Sequence, residues 1–293
     1  MSAFLSQISR AYTSYANYLV GELKDPFHNG MSYFYLLIAL SLFAWSLEII
    51  LPWRKKQAIF RKDFWLDAFY MFFNFFIFNL LIFIALSSVT EKYFKEFMNL
   101  FSLPKSGVLD LSGLPMWLQF IVFFIIADFV QWAIHYFLHH NKFLWKVHKV
   151  HHSVTEMGFA AHLRYHWIET LVYKTGLYIV VSWFLHFNLE NAFILHTVTI
   201  LIGHLNHTNI SLDYGFLKYI LNNPKMHIWH HAKYMPKEFP SGMNFGISLS
   251  IWDYIFRTNY IPSDGRDIEL GFPEIEKYPK GFIQQFFHPF KKS

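Results

Sequence analysis

The chain contains no cysteine, and only 15% of its 293 residues are charged. The first absence excludes disulfides, zinc ribbons, iron–sulfur clusters and thiol catalysis. The second lies well under the roughly 25% of an ordinary soluble domain, which leaves too little polar material to cover a water-soluble core. No basic run with interleaved aromatics occurs and the net charge is a modest +5, so no nucleic-acid partner is expected. The start of the chain lacks the basic region and small-residue cleavage site of a signal peptide. Internal repeats, low-complexity tracts, a dinucleotide-binding fingerprint and a haem-attachment motif are also missing. What is abundant is apolar: 54% hydrophobic residues, 21% aromatics and 35 Phe. Against that background stand 17 His, the one feature of the composition that points to chemistry.

A bilayer core roughly 30 Å thick is spanned by about 20 apolar residues. Five stretches approach that length: 33–51, 64–86, 115–134, and a tightly paired 168–187 and 188–206 with a turn near Asn188–Asn191. The last two either cross fully or dip and return. The expected fold is therefore an all-α integral membrane protein with four to five transmembrane helices, forming one membrane-embedded domain over 1–293. Residues Phe4 to Val20 read as an interfacial amphipathic helix. The loop after the first span carries Arg54, Lys55, Lys56, Arg61 and Lys62 against one acid, and such basic loops face the cytoplasm. In the loop 87–114 the lysines are balanced by acids, which places it on the other side. The third span then returns to the cytoplasm where the histidines begin. A tail over 261–293, rich in Pro, Gly and charge, is expected to wrap the cytoplasmic surface. The host membrane is a bacterial inner membrane or the endoplasmic reticulum.

Six His fall between His135 and His152 and three more between His227 and His231. His135 and His139 are four apart and share a helical face. His148, His151 and His152 are spaced by three and four, as are His227, His230 and His231. The last helix has a readable start, with Asn223 as N-cap and Pro224 in the first helical position. A lone His is most simply a capped or core residue, and His28, His186, His196 and His288 are read that way. Eight in three clusters on one membrane face are not, because imidazoles so close together need many separate hydrogen-bond partners. Imidazole suits iron, zinc, copper and nickel. Eight is twice the ligand count of one tetrahedral zinc, so the count suggests two metals. Asp128, seven residues before His135 and inside a span, is a candidate to support a ligand. Trp132, Trp145, Trp167, Trp229 and Trp252 lie near these motifs as interfacial anchors or packing around the metal cap, and one or two are candidates to line a lipid channel.

The run from Asp128 through His135 and His139, then Leu144-Trp-Lys-Val-His148-Lys-Val-His151-His152-Ser153, resembles the fatty acid hydroxylase superfamily, specifically its sterol desaturase branch. So do Asn223-Pro-Lys-Met-His227-Ile-Trp-His230-His231 and the trailing Asn244 to Asp253, and the resemblance covers roughly 115–258. It implies a membrane-embedded non-haem di-iron centre that uses dioxygen to hydroxylate or desaturate lipids such as sterols, alkyl lipids or fatty-acyl chains. Ligands are implied at His135, His139, His148, His151, His152, His227, His230 and His231. His204-Leu-Asn-His207-Thr-Asn209 resembles the family's His-x-Asn element, which makes His207 a ninth ligand with His204 the runner-up and Asn209 a supporting residue. Arg164-Tyr-His166-Trp-Ile-Glu169 stands where relatives have Arg-x-His-Pro-x-Glu, with Trp167 in place of Pro. A His166–Glu169 pair is expected there to orient a ligand or a lipid headgroup, or simply to cap a helix. His140 competes with His139, because some relatives space the first pair by five.

The function expected is a dioxygen-dependent lipid hydroxylase or monooxygenase with two iron ions and no protein nucleophile. Two electrons come from outside the chain, through a separate reductase, a ferredoxin, a b-type cytochrome or a reduced pteridine. The alternatives are an acyl-lipid desaturase of the histidine-box type and a non-catalytic membrane metal-binding or transport protein. A transporter places its ionisable ligands at mid-bilayer between broken helices, whereas these clusters follow the helices.

Overall fold

The computed structural model describes residues 2–25, 27, 32–78, 96–97, 99–100, 111, 113–184 and 189–291, with side chains left undescribed at 2–4, 7, 178–184 and 189–193. His28, His186, the end of the 64–86 and 168–187 spans, most of the loop 87–114 and the chain at 185–188 between the paired helices lie outside it. Among the described residues there is no strand. Three isolated bridges, Pro52 to Ile210, Leu221 to Leu249 and Ala232 to Leu270, tie loops together.

Among the described residues the α-helices with full bounds are α1 (Ser2–Lys24), α2 (Tyr33–Ile50), α3 (Phe64–Phe72), α4 (Met116–His140), α5 (Lys142–His152), α6 (Trp167–Phe184), α7 (Leu189–His207), α8 (Pro224–His230), α9 (Ile251–Phe256) and α10 (Phe282–Phe287). A π-helical turn, Phe73–Ile77, extends α3, and a 3-10 turn, Phe159–Leu163, precedes α6. Among the described residues two helices, α2 and α4, are long and apolar enough to cross a membrane. Of the other expected spans, the described part of 64–86 is an apolar helix, Phe64–Ile77, α6 carries Glu169 and Lys174, and α7 carries Glu190, His196 and His204.

At 25 residues, α4 is about 37 Å long. That is longer than a hydrocarbon core of roughly 30 Å, and His135 and His139 lie in its last two turns. Asn141 then breaks the helix. Its backbone N–H still donates to Phe137 O, while its side chain accepts from Phe143 N at 3.0 Å and Leu144 N at 3.1 Å. One residue thus ends α4 and caps α5, and that sharp joint folds α5's histidines back against those of α4. Asn223 caps α8 by accepting from Met226 N at 2.9 Å, with Pro224 in the first turn, as the sequence predicts.

One set of buried charges is paired. Asp67, fully buried near the start of the 64–86 stretch, lies between Arg61 and Arg164, the latter at 2.9 Å. Removing one member of such a buried set leaves a charge uncompensated. The tail folds over the histidine-bearing helices. Gly271 N donates to His231 O at 3.0 Å, Lys233 N to Glu269 O at 2.8 Å, and Tyr70 hydroxyl to Gln285 Oε1 at 2.9 Å. Beneath it Val154, Met157, Ala161, Ile228 and Leu270 form a compact apolar cluster.

Candidate metal centre

Helices α4, α5, α7 and α8, with His231 just past the end of α8, deliver nine histidines to one buried spot, in two groups. His135, His139, His148, His152 and His230 form the first; His151, His207, His227 and His231 form the second. Within each group one nitrogen per ring lies within 4.8 Å of all the others, and every member is buried. Rings of the two groups also meet, with His152 and His231 stacked at 4.5 Å between centroids.

The outward-facing nitrogens are held by oxygen acceptors. Nδ1 of His135, His139 and His230 lies 2.8, 3.0 and 2.8 Å from the carbonyls of Phe245, Ser241 and Met243. His148 Nδ1 is 3.0 Å from Glu169 Oε1, and His207 Nδ1 is 2.8 Å from Gly203 O. Each contact requires the proton on Nδ1, which leaves the Nε2 lone pair directed inward. Two such nitrogens, on His135 and His148, then face each other at 3.2 Å. Lone pairs at that distance repel unless a cation lies with them. Buried Nε2 atoms of His139 and His230, and both nitrogens of His152, have no hydrogen-bond partner. In the second group Nε2 of His207 lies 3.3 Å from that of His151 and 2.9 Å from that of His227, which in turn is 3.2 Å from that of His231. Burial, then mutual repulsion, pushes His148, His151, His152, His227, His230 and His231 well below the usual imidazole range. They stay neutral, which is the form that ligates metal. On donor chemistry, burial and orphaned nitrogens, the site fits a pair of metal ions.

The acceptors come from a segment whose importance the sequence reading missed. Alternate carbonyls of 241–245 take three of the histidines, and two buried carboxylates fix that segment. Asp253 accepts from Phe245 N at 2.9 Å, Gly246 N at 2.8 Å, Trp132 Nε1 at 3.1 Å and Thr258 Oγ1 at 2.6 Å. Asp128 accepts from Ser248 N at 3.0 Å, Leu249 N at 3.1 Å and Trp252 Nε1 at 2.9 Å. Asp128 therefore acts through the loop and touches no histidine of the groups directly. Gly242 has φ +121°, and a Cβ there would lie 2.8 Å from His139 Nδ1, so only glycine lets the segment approach the ring.

The remaining expected residues divide. Glu169 does not pair with His166: it lies against His148, while His166 Nε2 donates to Phe286 O at 2.8 Å and its Nδ1 accepts from Ile168 N at 3.2 Å. The reason is helical geometry. Glu169 sits in the first turn of α6 facing the cap interior, and His166 precedes that helix and faces the tail. His140 is exposed, stacked on Tyr136 at 3.8 Å, with its Nδ1 on Tyr136 O, so it stands outside both groups. His204 faces away from them, toward Ser41 Oγ at 3.2 Å and His162 Nδ1 at 3.1 Å. Asn209 pins the loop after α2, accepting from Arg54 N at 2.9 Å. His162, alone in a 3-10 turn without a motif around it, was not legible as a neighbour of the site. The tryptophans pack: Trp145 rests on His139 at 4.9 Å and His152 at 5.2 Å, and Trp167 on Phe286 at 5.8 Å.

A small void of about 10 Å³ touches both groups, lined by His135, His148, His151, His207 and His227. It adjoins a larger cavity of about 270 Å³ that shares His162, Tyr165, Tyr173 and Ile247 with it. A profile of the fatty acid hydroxylase family matches residues 120–258, a stretch that holds all nine grouped histidines and the loop that supports them. Residues 120–258 are a fatty acid hydroxylase domain. Over 178 residues, 61% of this chain and 52% of the relative, the chain is 32% identical to the ornithine lipid hydroxylase OlsE of Rhizobium tropici. It is 27% identical over 141 residues to the alkylglycerol monooxygenase of Homo sapiens, covering 46% of this chain and 29% of that one. With methylsterol monooxygenase 1-1 of Arabidopsis thaliana it shares 26% over 180 residues, 55% of this chain and 56% of that one. The match thus spans about half the length of the first and third of these relatives, and less of the second. No solved structure matches the chain.

Within this fatty acid hydroxylase domain Glu169 has a measurable task. It is wholly buried and holds His148 through a hydrogen bond. Loss of such a partner typically costs 10–100-fold in metal affinity. Glu169→Leu is expected to weaken metal binding by about that factor in a chelator competition, and Glu169→Gln, which keeps an acceptor oxygen, by less. Equal retention in both variants would remove Glu169 from the centre.

Proposed function

We propose that the chain is a di-iron, dioxygen-dependent hydroxylase that acts on a C–H bond of a membrane lipid. The observation that carries this reading is the pair of buried histidine groups, five and four strong, sharing a void that adjoins a cavity large enough to admit part of a lipid. The first group would hold one iron and the second the other. Bound iron supplies activation of dioxygen and oxidation of the C–H bond. The balance is one oxygen atom into the lipid as hydroxyl and the other into water, with two protons and two electrons consumed. The electrons come from an outside donor, a reductase, ferredoxin or b-type cytochrome, or a reduced pteridine.

The protein's own groups do the positioning. Phe245, Ser241 and Met243 carbonyls, Glu169 and Gly203 O hold the Nδ1 protons of five histidines and so aim their lone pairs inward. Tyr165, Tyr173 and Ile247 form the shared wall between the void and the cavity and keep bulk water from the inner end. The reading includes helices α2, α3, α4, α6 and α7 embedded in the membrane, with the centre on the cytoplasmic side. The basic loop after α2 supports that orientation: Trp53 N donates to Asn209 O at 2.8 Å, two residues past His207, so positive charge and histidines share one end of the bundle.

Lipidomics of cells with and without the protein tests the reading. One lipid class is expected to gain the mass of one oxygen in an oxygen-dependent way, and to lose that gain in His151→Ala. Loss of two hydrogens instead would support the desaturase alternative. No lipid change, together with metal uptake into sealed vesicles, would support transport and overturn the proposal.

A further inference from the structure

After the last histidine group the chain turns back along α4. Asp128 of α4 takes Ser248 N, Leu249 N and Trp252 Nε1. Phe256 of α9 stacks on Trp132 at 4.5 Å and on Phe129 at 6.1 Å. All three anchor points on α4 precede His135, and Trp132 stands eight residues before the end of the helix at His140, about 12 Å along its axis. When a helix of about 37 Å spans a hydrocarbon core of roughly 30 Å, at most about 7 Å of one end stands clear. With α4 across the bilayer, Phe256 therefore meets it about 5 Å or more inside the core, and Asp128 holds the loop deeper still.

Backbone at that depth has to be paired within the protein, and its outer side chains have to be apolar. Both conditions are met. On the inner side Asp253 takes Phe245 N and Gly246 N, Ser250 N donates to Ile220 O at 2.9 Å, and Asn222 N donates to Ser248 O at 2.9 Å. On the outer side Ile255 is 57% exposed and Phe256 is exposed beside it. The 3-10 turn Gly215–Tyr219 adjoins α9: Ser250 Oγ donates to Lys218 O at 2.7 Å, and the Tyr219 and Tyr254 rings lie 5.2 Å apart. There Phe216 is 77% exposed, and Tyr219 and Ile220 are exposed as well. Large apolar side chains on two adjoining short elements, continuous with the apolar α4, form a patch that marks an interaction surface. Lys218, whose Nζ lies 5.4 Å from the Tyr219 ring, and Arg257, next to Phe256, supply positive charge beside it.

We propose that the turn 215–219 and α9 form a re-entrant foot in the cytoplasmic leaflet, its apolar side chains in hydrocarbon and Lys218 and Arg257 among the lipid phosphates. This foot rests on the membrane placement proposed above and adds to it a lipid-facing element outside the five spans. Long basic side chains reach headgroups while their stems stay in apolar surroundings. Asp253, on the inner face of α9, holds Phe245 N, and Phe245 O holds His135. The foot thus ties the segment that orients a metal-group histidine to the bilayer.

The chain has no cysteine, so a single introduced cysteine takes a nitroxide label uniquely. Phe216→Cys and Ile255→Cys are labelled in the metal-free full chain, in nanodiscs of phosphatidylcholine and phosphatidylglycerol. Ile121→Cys on the exposed side of α4 and Lys142→Cys on the exposed side of α5 serve as references. Relaxation by oxygen, which concentrates in hydrocarbon, against relaxation by a water-soluble nickel chelate gives the depth of each label. Both test labels are expected about 5–10 Å below the phosphates, with an oxygen-dominated ratio like that of Ile121→Cys. A chelate-dominated ratio at either test label, as at Lys142→Cys, overturns the proposal. Low access to both reagents with spin–spin broadening between chains assigns the face to a second copy and overturns it too. Chelate access at Ile121→Cys would mean that α4 itself does not span, so failure of the membrane placement is told apart from failure of the foot alone. Should a labelled variant lose its helical circular dichroism, the unmodified chain decides. A photoactivated diazirine acyl lipid should then leave adducts within 215–220 and 251–256, and adducts confined to the other helices contradict the foot.

Discussion

Replacing His230 or His151 by alanine is expected to abolish oxygen-dependent lipid product, by at least about 100-fold, because each removes a ligand from a different metal group. The fold should persist, since its helices are held by apolar packing and by the Asn141 and Asn223 caps rather than by imidazole. Iron content separates the two variants from a simple folding defect. Each should bind about half the metal of wild type or less, with unchanged helical circular dichroism. His140→Ala, whose ring is exposed on Tyr136, should keep wild-type metal and activity. Normal iron and turnover in both His230→Ala and His151→Ala would overturn the ligand assignment.

The second large effect falls on a residue that touches no histidine of either group. Asp253 is fully buried and accepts from two backbone N–H groups, an indole and a hydroxyl. Asp253→Ala strands all four donors inside the cap, and burying donors unpaired costs about 1–3 kcal/mol each before relaxation. A net loss of at least about 3 kcal/mol is expected, seen as unfolding roughly 6 °C or more lower in detergent. Because Asp253 holds Phe245, and Phe245 O holds His135, iron occupancy of the first group should fall with it. The exposed Asp267→Ala serves as control. If Asp253→Ala melts with wild type, the loop 241–249 is held by something other than this carboxylate.

These two expectations also mark where the sequence could and could not be read. The clusters at 135–152 and 227–231 were legible because ligands on a helix must recur at three and four residues, a pattern that leaves a direct trace in the chain. The cap of α8 was legible for the same local reason. The acceptors that orient the ligands were not, since a backbone carbonyl has no residue signature. Ser241, Met243 and Phe245 reach their histidines across 13 to 110 positions. Glu169 was named, but its partner was misread as the nearby His166, because proximity in sequence is a poor guide at the start of a helix that faces two ways. His207, expected from a resembling motif, does join the second group, whereas His204 one turn earlier turns toward α2. Of the five expected spans, α2 and α4 are long and apolar among the described residues; α6 and α7 also carry polar residues that line the cavity.

The most direct test of the central claim is a metal count. Protein reconstituted anaerobically with ferrous iron, washed and quantified by elemental analysis against amino-acid analysis, should hold two iron ions per chain, falling toward one in His151→Ala and in His230→Ala. Saturation of the wild-type chain at one iron or fewer would contradict a two-metal centre.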